Sequence, residues 1–265
     1  MNIRVGYIPY LNMVPFHHGF GPAPIEAQGR RFEFLPMSPH ALGLEAEKGT
    51  IDAGAMSLVD SLRLSTHYEP VGTFGIGMRR AAQSVLLFSR QEIHCLQGMC
   101  AITDETSTSF RLLQLLLEVH YGLTGIRYGR IVSSALFDGD AEALLLIGDE
   151  ALRAKKEGIK GMPFVTDLGE EWVQWQGVPF VFARWMVRSG LRQEVKDIIE
   201  GSLQKSLQLN GVNRIRFAEE EAPKRDMTTG DVIRYWNGFV YELTPDHQRS
   251  IQIFSELLEK ACLPV

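Results

Sequence analysis

Cysteine is scarce in this chain of 265 residues, which contains only Cys95, Cys100 and Cys262. The count is odd and no Cys-x-x-Cys pair occurs, so we expect no disulfide framework. We expect instead that the protein works in a reducing compartment. The closest pair of metal-ligating side chains is His17 and His18. Adjacent residues rarely bind one ion from a strand or a helix, and we therefore predict no metal site.

Basic charge and long apolar runs are also lacking. The chain has 27 Lys and Arg against 32 Asp and Glu, a net charge of -5, whereas nucleic-acid-binding proteins usually carry a basic surface. No stretch reaches the roughly 18 apolar residues that a membrane-spanning helix needs. The first residues, Met1 to Gly6, lack the apolar region of a secretory signal peptide. We expect no nucleic-acid partner, no membrane partner and a cytoplasmic location.

Two groups of catalytic and binding motifs are absent. Neither G-x-G-x-x-G nor G-x-x-x-x-G-K-[ST] occurs, and the glycines of residues 72–77 have the spacing of neither, so nucleotide binding is not supported. Ser57 and Ser84 have no histidine beside them, which gives a Ser-His-Asp triad little support.

Alternating strand and helix signals run through the chain. Residues 32–35 resemble a short strand, Ser38 and Pro39 supply an N-cap and a first-turn proline, and Gly49 ends the helix that follows. Residues 51–56 then resemble a second strand. This strand–helix–strand pattern predicts two parallel strands joined by a crossover helix.

Further apolar segments extend the same pattern. Three runs of strand length are residues 84–88, 101–103 and 143–147. Residues 110–120 predict a nearly buried helix, and apolar spacing predicts two amphipathic helices in the tail, through residues 191–203 and 251–258. Together these elements predict an α/β architecture with mostly parallel sheets.

Ligands of such sheets collect beyond the carboxyl ends of strands. Polar residues at predicted strand ends are therefore candidates for a binding site. Ser84 differs from them in position, because it lies at the beginning of a predicted strand. The candidates at strand ends are Tyr10, Asn12, Ser57, Thr106, Ser107, Thr108, Ser109, Gly148 and Asp149.

Two of these candidates have both a structural and a functional interpretation. Residues 106–109 either cap the next helix or bind a carboxylate or phosphate, because Arg111 lies in the first turn and no acidic residue does. Asp149 is predicted as the N-cap of the helix over residues 150–156, and it can also face a ligand or act as an acid or base.

The aromatic segment 167–185, DLGEEWVQWQGVPFVFARW, also has a structural and a functional interpretation. It predicts either an amphipathic segment leading into a strand over residues 179–183 that links two domains, or an aromatic wall or hinge beside a cleft.

Six segments occur together in an order that matches one enzyme family. They are Tyr10-Leu11-Asn12 with Pro15, Gly49-x-Ile51-Asp52-Ala53, Ser84-Val85-Leu86-Leu87-Phe88-Ser89, residues 106–109, Leu146-Ile147-Gly148-Asp149-Glu150-Ala151-Leu152, and the aromatic segment 167–185. Over residues 3–185 the chain resembles chorismate dehydratase of the futalosine route to menaquinone. The sister family is 1,4-dihydroxy-6-naphthoate synthase, and the Tyr-Leu-Asn opening favours the dehydratase.

The resemblance implies a fold, a domain arrangement and a reaction. The implied fold is periplasmic-binding-protein type II-like, α/β, with two lobes around a central cleft. Lobe 1 would comprise residues 1–85 and 180–265, and lobe 2 residues 86–179. The implied reaction converts chorismate, a small-molecule dicarboxylate, to 3-[(1-carboxyvinyl)oxy]benzoate and water without a cofactor, in a monomer or homodimer.

For this reaction we predict roles for the candidate residues. Asn12 and Asp149 would be catalytic. The substrate-binding residues would be Tyr10, Ser57, Ser84, Thr106, Ser107, Thr108, Ser109 and Gly148. No general base stands out, so the enolpyruvyl carboxylate of the substrate is the expected proton acceptor.

Two segments depart from the family pattern. Residues 56–60 are Met-Ser-Leu-Val-Asp where family members often have Pro-Ser-x-Glu-Tyr, and residues 80–83 are Arg-Ala-Ala-Gln where many have Gly-Pro-Val-Arg. Two alternatives therefore stay open. One is a non-catalytic protein that binds a small aromatic or carboxylate ligand, and the other is an enzyme similar to 1,4-dihydroxy-6-naphthoate synthase.

Overall fold

The computed structural model describes residues 2–21, 23–103, 106–131 and 141–264. Contacts divide the chain into two compact units. The first unit comprises Met1–Gly77 and Val181–Thr244, and the second comprises Met78–Phe180 and Pro245–Val265. Within the described residues, no helix combines the length and the apolar character needed to cross a membrane.

The strands form two sheets. In chain order they are β1 (Asn2–Tyr7), β2 (Ile25–Ala27), β3 (Arg30–Pro36), β4 (Ala53–Ser57), β5 (Tyr68–Met78), β6 (Val85–Ser89), β7 (Met99–Thr103), β8 (Arg127–Ile131), β9 (Ala143–Ile147), β10 (Phe164–Asp167), β11 (Val181–Arg188) and β12 (Phe239–Glu242).

Helices connect and cover these strands. In chain order they are α1 (Val14–His17), α2 (Pro39–Glu47), α3 (Leu58–Arg63), α4 (Thr108–Gln114), α5 (Gly148–Glu157), α6 (Leu168–Gln176), α7 (Gln193–Val212), α8 (Arg214–Glu221), α9 (Thr229–Asn237) and α10 (Pro245–Lys260). Helix α4 continues directly into a π-helical segment, Leu115–His120, and short 3-10 turns cover Ile93–Cys95 and Pro223–Arg225.

The first unit is built on a sheet with the strand order β12-β5-β11-β4-β1-β3-β2. Strand β1 is parallel to both β3 and β4, so Val5 pairs with Phe34 on one side and Ala53 on the other. Strand β11 is antiparallel to β4 and β5. Phe16, from α1, packs edge-on against Trp185 of β11, which anchors the core on one face of the sheet.

The second unit is built on a sheet with the order β10-β6-β9-β7-β8. Strand β7 is parallel to β8 and β9, while β6 is antiparallel to β9 and β10. All five side chains of β9 are buried, which explains its unbroken apolar sequence. The prediction of mostly parallel sheets is therefore wrong, because antiparallel pairings of the described strands are at least as numerous as parallel ones in both sheets.

Local sequence signals set the bounds of several elements. Ser38 caps α2 by accepting a hydrogen bond from the Ala41 amide, Pro39 opens the helix, and Gly49 follows its end with a φ of 71°. Strand β9 has the predicted bounds. Residues 110–120 are helical as predicted, in α4 and the π-helical segment, but Val119 is exposed rather than buried. Both predicted tail helices are present, and α8 and α9 lie between them.

The units differ from the predicted lobes at residues 78–85 and at the C-terminus. Both segments belong to the second unit rather than to the first. Helix α10 packs there because Phe254 contacts the rings of Trp172 and Phe180, and Ser250 accepts a hydrogen bond from the Trp172 indole at 3.1 Å. An amphipathic pattern predicts a helix, but not the surface that covers its apolar face.

Candidate functional site

In the second unit, strand direction brings three polar segments to one edge of the sheet. Parallel strands β7 and β9 end there, followed by residues 106–109 and by Gly148 and Asp149. Strand β6 is antiparallel to β9, so Ser84, which precedes it, lies opposite Gly148. The Gly148 amide donates a hydrogen bond to the Ser84 carbonyl at 2.8 Å. Seven of the ten predicted site residues therefore share this edge.

Gly148 is a position where the backbone requires glycine. Its φ is 61°, a left-handed conformation that side chains with a Cβ rarely adopt. The residue is the first of α5, and Ile147 is the N-cap. The predicted N-cap role of Asp149 is therefore wrong: Asp149 lies within the first turn, half-buried, where its negative charge complements the positive end of the helix.

The segment 106–109 is the start of a buried helix. The Thr106 hydroxyl accepts a hydrogen bond from the Ser109 amide at 3.2 Å, so Thr106 provides the side-chain cap. Thr106, Thr108 and Ser109 are buried, and Ser107 is half-buried. As expected from the sequence, the first turn of α4 contains no acidic residue.

Two arginines add positive charge beside this segment. The guanidinium groups of Arg111 and Arg130 lie 5.2 and 5.3 Å from the centroid of the Phe110 ring. Arg130 also donates to the Thr106 carbonyl at 3.2 Å. Burial and the charge of Arg130 both lower the pKa of Arg111. The positive charge beside residues 106–109 therefore favours an anion at the start of α4.

A half-buried carboxylate that the sequence analysis missed holds the turn before β6. Asp167 accepts hydrogen bonds from the amides of Ala82 at 3.0 Å and Gln83 at 2.7 Å. It also caps α6 by accepting from the amides of Gly169 and Glu170. Asp167 thus positions the turn that contains Ser84. An aspartate before a helical pattern predicts the cap, but nothing local predicts the distant amides.

In the first unit, the segment after β1 is fixed from several sides. The Trp236 indole donates to the Leu11 carbonyl at 2.8 Å, and Arg225 donates to the Pro9 carbonyl at 3.5 Å. Asn12 is half-buried, and its Oδ1 is shielded from solvent with no hydrogen-bond partner among the described residues. Tyr10, also half-buried, precedes it in the same turn. A shielded amide oxygen without a partner is uncommon in native structures and leaves an acceptor for a ligand.

Two neutral histidines follow this segment. Burial lowers the pKa of His17 to about 3 and that of His18 to about 4. The His17 ring lies 4.3 Å from the Tyr7 ring, and the His18 ring stacks on Phe217 at 3.5 Å. Both imidazoles are therefore uncharged at neutral pH. In the described residues, no three His, Cys, Asp or Glu side chains are arranged to hold a metal ion.

Ser57, the third predicted residue of this unit, serves as a helix cap. It ends β4 and accepts the Asp60 amide at 3.2 Å, while its hydroxyl donates to the Asp60 carboxylate at 2.6 Å. Strands β1 and β4 are parallel neighbours, so Ser57 shares the carboxyl edge of the sheet with the Tyr10–Asn12 turn. Its hydroxyl hydrogen is already committed to Asp60, and the predicted substrate contact stays a prediction.

Comparisons with known proteins add family information to this geometry. A family model described as menaquinone biosynthesis matches residues 3–260. Chorismate dehydratase of Thermus thermophilus is 27% identical, with 96% of this chain and 94% of that protein covered. A crystal structure of an Archaeoglobus fulgidus protein matches with a TM-score of 0.78 at 17% identity, covering 99% of this chain and 98% of that one.

A further structural match defines the fold. The periplasmic aliphatic sulphonate binding protein of Escherichia coli matches with a TM-score of 0.65 at 14% identity, covering 99% of this chain and 88% of that chain. The chain therefore has the periplasmic-binding-protein fold, as the sequence resemblance implied. At this level of identity the likeness extends to the fold alone.

Proposed function

The chain belongs to the menaquinone biosynthesis family, and we propose that it is a chorismate dehydratase. The reaction removes one water from chorismate and gives 3-[(1-carboxyvinyl)oxy]benzoate. The observation that carries this proposal is the 27% identity to a chorismate dehydratase over nearly the whole of both chains. The anion-favouring edge of the second unit and the unpaired Asn12 oxygen support it independently.

The chemistry needs placement more than strong catalytic groups. A proton leaves C3 of the ring, the hydroxyl leaves C4 as water, and the C3–H electron pair completes the aromatic ring. Because aromatisation drives the reaction forward, the protein has to orient the substrate and stabilise the charge that develops. The absence of an obvious general base in the sequence is compatible with such a reaction.

In the second unit we assign one carboxylate of the substrate to the start of α4. Thr108 and Ser109 would donate hydroxyl hydrogen bonds, and the two guanidinium groups beside Phe110 would add favourable charge. Ser107 and Thr106 complete this segment. The buried positions of Thr108 and Ser109 make such bonds stronger than they would be in water.

The other residues of the second-unit edge would act on the remaining groups of the substrate. Ser84 would contact the second carboxylate. For Ser57, in the first unit, the same role would require that its bond to Asp60 be exchanged. Gly148, which has no side chain, would let the backbone approach the substrate closely. Asp149 would orient the C4 hydroxyl or assist its protonation as it leaves.

In the first unit we assign Asn12 to the ring substituents or to the departing hydroxyl. Its unpaired Oδ1 would accept a hydrogen bond, and Tyr10 would contribute contact area beside it. The substrate's own enolpyruvyl carboxylate would take the C3 proton. This assignment leaves the protein to hold the two reacting groups in register.

Asn12 variants test the assignment. We expect Asn12→Ala to lower kcat about 10- to 100-fold, the cost of losing one hydrogen bond at the reacting centre, while the melting temperature changes little. Asn12→Ser should recover part of the rate. Turnover is followed by ultraviolet absorbance of the aromatic product. Full activity of Asn12→Ala would remove Asn12 from the mechanism.

A binding-only function would give a different pattern. Chorismate would then raise the melting temperature of the wild-type protein without being consumed. The same assay, read both for product and for thermal stabilisation, separates this alternative from catalysis.

A further inference from the structure

Arg184 of β11 is a half-buried arginine that nothing in the assigned site uses. Its guanidinium has no hydrogen-bond or ion-pair partner in the part of the chain that the structure describes. Burial lowers its pKa, and no neighbouring carboxylate offsets that effect. A guanidinium nevertheless stays protonated in proteins. The first unit therefore carries a partly desolvated positive charge without a counter-charge, which is unfavourable for folding.

Three other partly buried arginines of the same unit are paired with carboxylates. Arg4 and Arg188 both contact Asp52, at 3.5 and 3.3 Å. Arg63 contacts Asp60 at 3.1 Å. Each of these three arginines therefore has a counter-charge within the unit. Arg184 differs from them in this respect, although it lies on the same strand as Arg188.

The backbone is irregular on both sides of Arg184. The pairing of β11 with β5 shifts register between Val181 and Ala183, and again between Arg184 and Met186. Arg184 pairs with Gly75 of β5, where a Cβ would lie only 2.6 Å from the Ala183 carbonyl oxygen. Bulges redirect side chains and are enriched beside active sites. Here Arg184 lies between two shifts in the pairing register of β11 with β5.

The position of Arg184 along the strand places it at the functional edge of the first sheet. On β4 its partner is Met56, the residue before Ser57, and Ala183 pairs with Ser57 itself. This is the carboxyl end of β4, the same edge of the sheet as the Tyr10–Asn12 turn. Arg188, by contrast, lies at the opposite end of β11.

We propose that Arg184 binds a carboxylate group of the substrate. The inference rests on the proposed function, because it takes chorismate as the ligand. The planar guanidinium would bind the carboxylate through two parallel hydrogen bonds. The carboxylate would also supply the counter-charge that no described side chain provides.

A purely structural role makes the opposite stability prediction. If Arg184 served only to pack its aliphatic stem, replacing it would destabilise the fold. If it is held for a ligand, Arg184→Met keeps the stem and removes an uncompensated charge. The melting temperature should then stay the same or rise, as happens when a residue kept for function is replaced.

The test compares three variants with wild type in chorismate turnover and in calorimetric titration with chorismate. For Arg184→Met we expect KM and the dissociation constant to rise about 10- to 100-fold, the range for a lost charge-assisted hydrogen bond. Arg184→Lys should recover only part of this loss, because lysine keeps the charge without the two-bonded geometry. Arg188→Met is the matched control and should lower the melting temperature with KM unchanged.

The outcomes separate this inference from the proposed function. Turnover by wild type with an unchanged KM in Arg184→Met, or a clear fall in its melting temperature with unchanged KM, overturns the inference alone. No turnover by wild type, but binding of chorismate that Arg184→Met weakens, overturns the proposed function and supports the inference. Neither turnover nor binding in wild type overturns both.

Discussion

Replacing Asp167 by asparagine should loosen the turn before β6 while leaving the cap of α6 in place. In the wild-type protein, one carboxylate oxygen of Asp167 accepts from the amides of Ala82, Gly169 and Glu170, and the other accepts from Gln83 at 2.7 Å. Asparagine keeps one oxygen. That oxygen belongs where three amides point, so the new NH2 group faces the Gln83 amide.

The magnitude follows from this loss of one acceptor. A partly buried amide left without a partner costs about 1–2 kcal/mol. Gln83 makes the position sensitive, because its φ of 62° is a strained conformation for a residue with a Cβ. For a chain of this size we expect the melting temperature to fall by about 2–8 °C. Asp167→Ala loses all four hydrogen bonds and the helix cap, so its melting temperature should fall further.

Activity should fall with stability, because the turn contains Ser84. We expect Asp167→Asn to raise KM for chorismate several-fold, through Ser84 rather than through direct contact with the substrate. Scanning calorimetry and initial rates at 25 °C measure the two effects. If Asp167→Asn had the melting temperature and the KM of the wild type, the reasoning would be refuted. The hydrogen bond from the Gln83 amide would then stabilise neither the turn nor the position of Ser84.

Two further predictions concern pH and backbone conformation. Because burial lowers the pKa of His17 to about 3, against 6.5 in the unfolded chain, the unfolded chain binds the extra proton between these values. His17 alone should therefore lower the stability present at pH 7 by about 1.4 kcal/mol per pH unit below pH 6.5, and His18, whose pKa burial lowers to about 4, should add a similar slope down to pH 4; calorimetry from pH 7 to 4 measures the slope, and a flat profile would contradict it. Gly148→Ala should destabilise by about 1–2 kcal/mol because of its positive φ, whereas Gly201→Ala, in open space on α7, should stabilise slightly; equal unfolding midpoints in urea for the two variants would be inconsistent with this account.

Local chemistry made some elements predictable from the sequence. Helix α2 is one example, because its cap Ser38, its first residue Pro39 and the glycine after its end all act within a few residues. Strand β9 is another, since an apolar run of that length has few other interpretations. The polar strand ends were identified for the same reason: strand polarity alone places them at one edge of a sheet.

Features that depend on distant partners were not predictable. Asp167 and the amide of Ala82 are 85 residues apart, so only the fold reveals that this aspartate holds the Ser84 turn. Helix α10 has a recognisable apolar stripe, but its packing on Trp172 decides its unit. Arg184 carries no sequence signal at all, because what distinguishes it is the lack of a partner.

The central claim is that this chain converts chorismate, and turnover by the purified wild-type protein tests it most directly. Chorismate is incubated with the protein in the presence of a metal chelator, and the product is followed by mass and by proton NMR. The account predicts a product lighter by one water, with a meta-substituted aromatic ring and an intact enolpyruvyl group. Chorismate that remains unchanged, or a product that has lost its enolpyruvyl group, would contradict it.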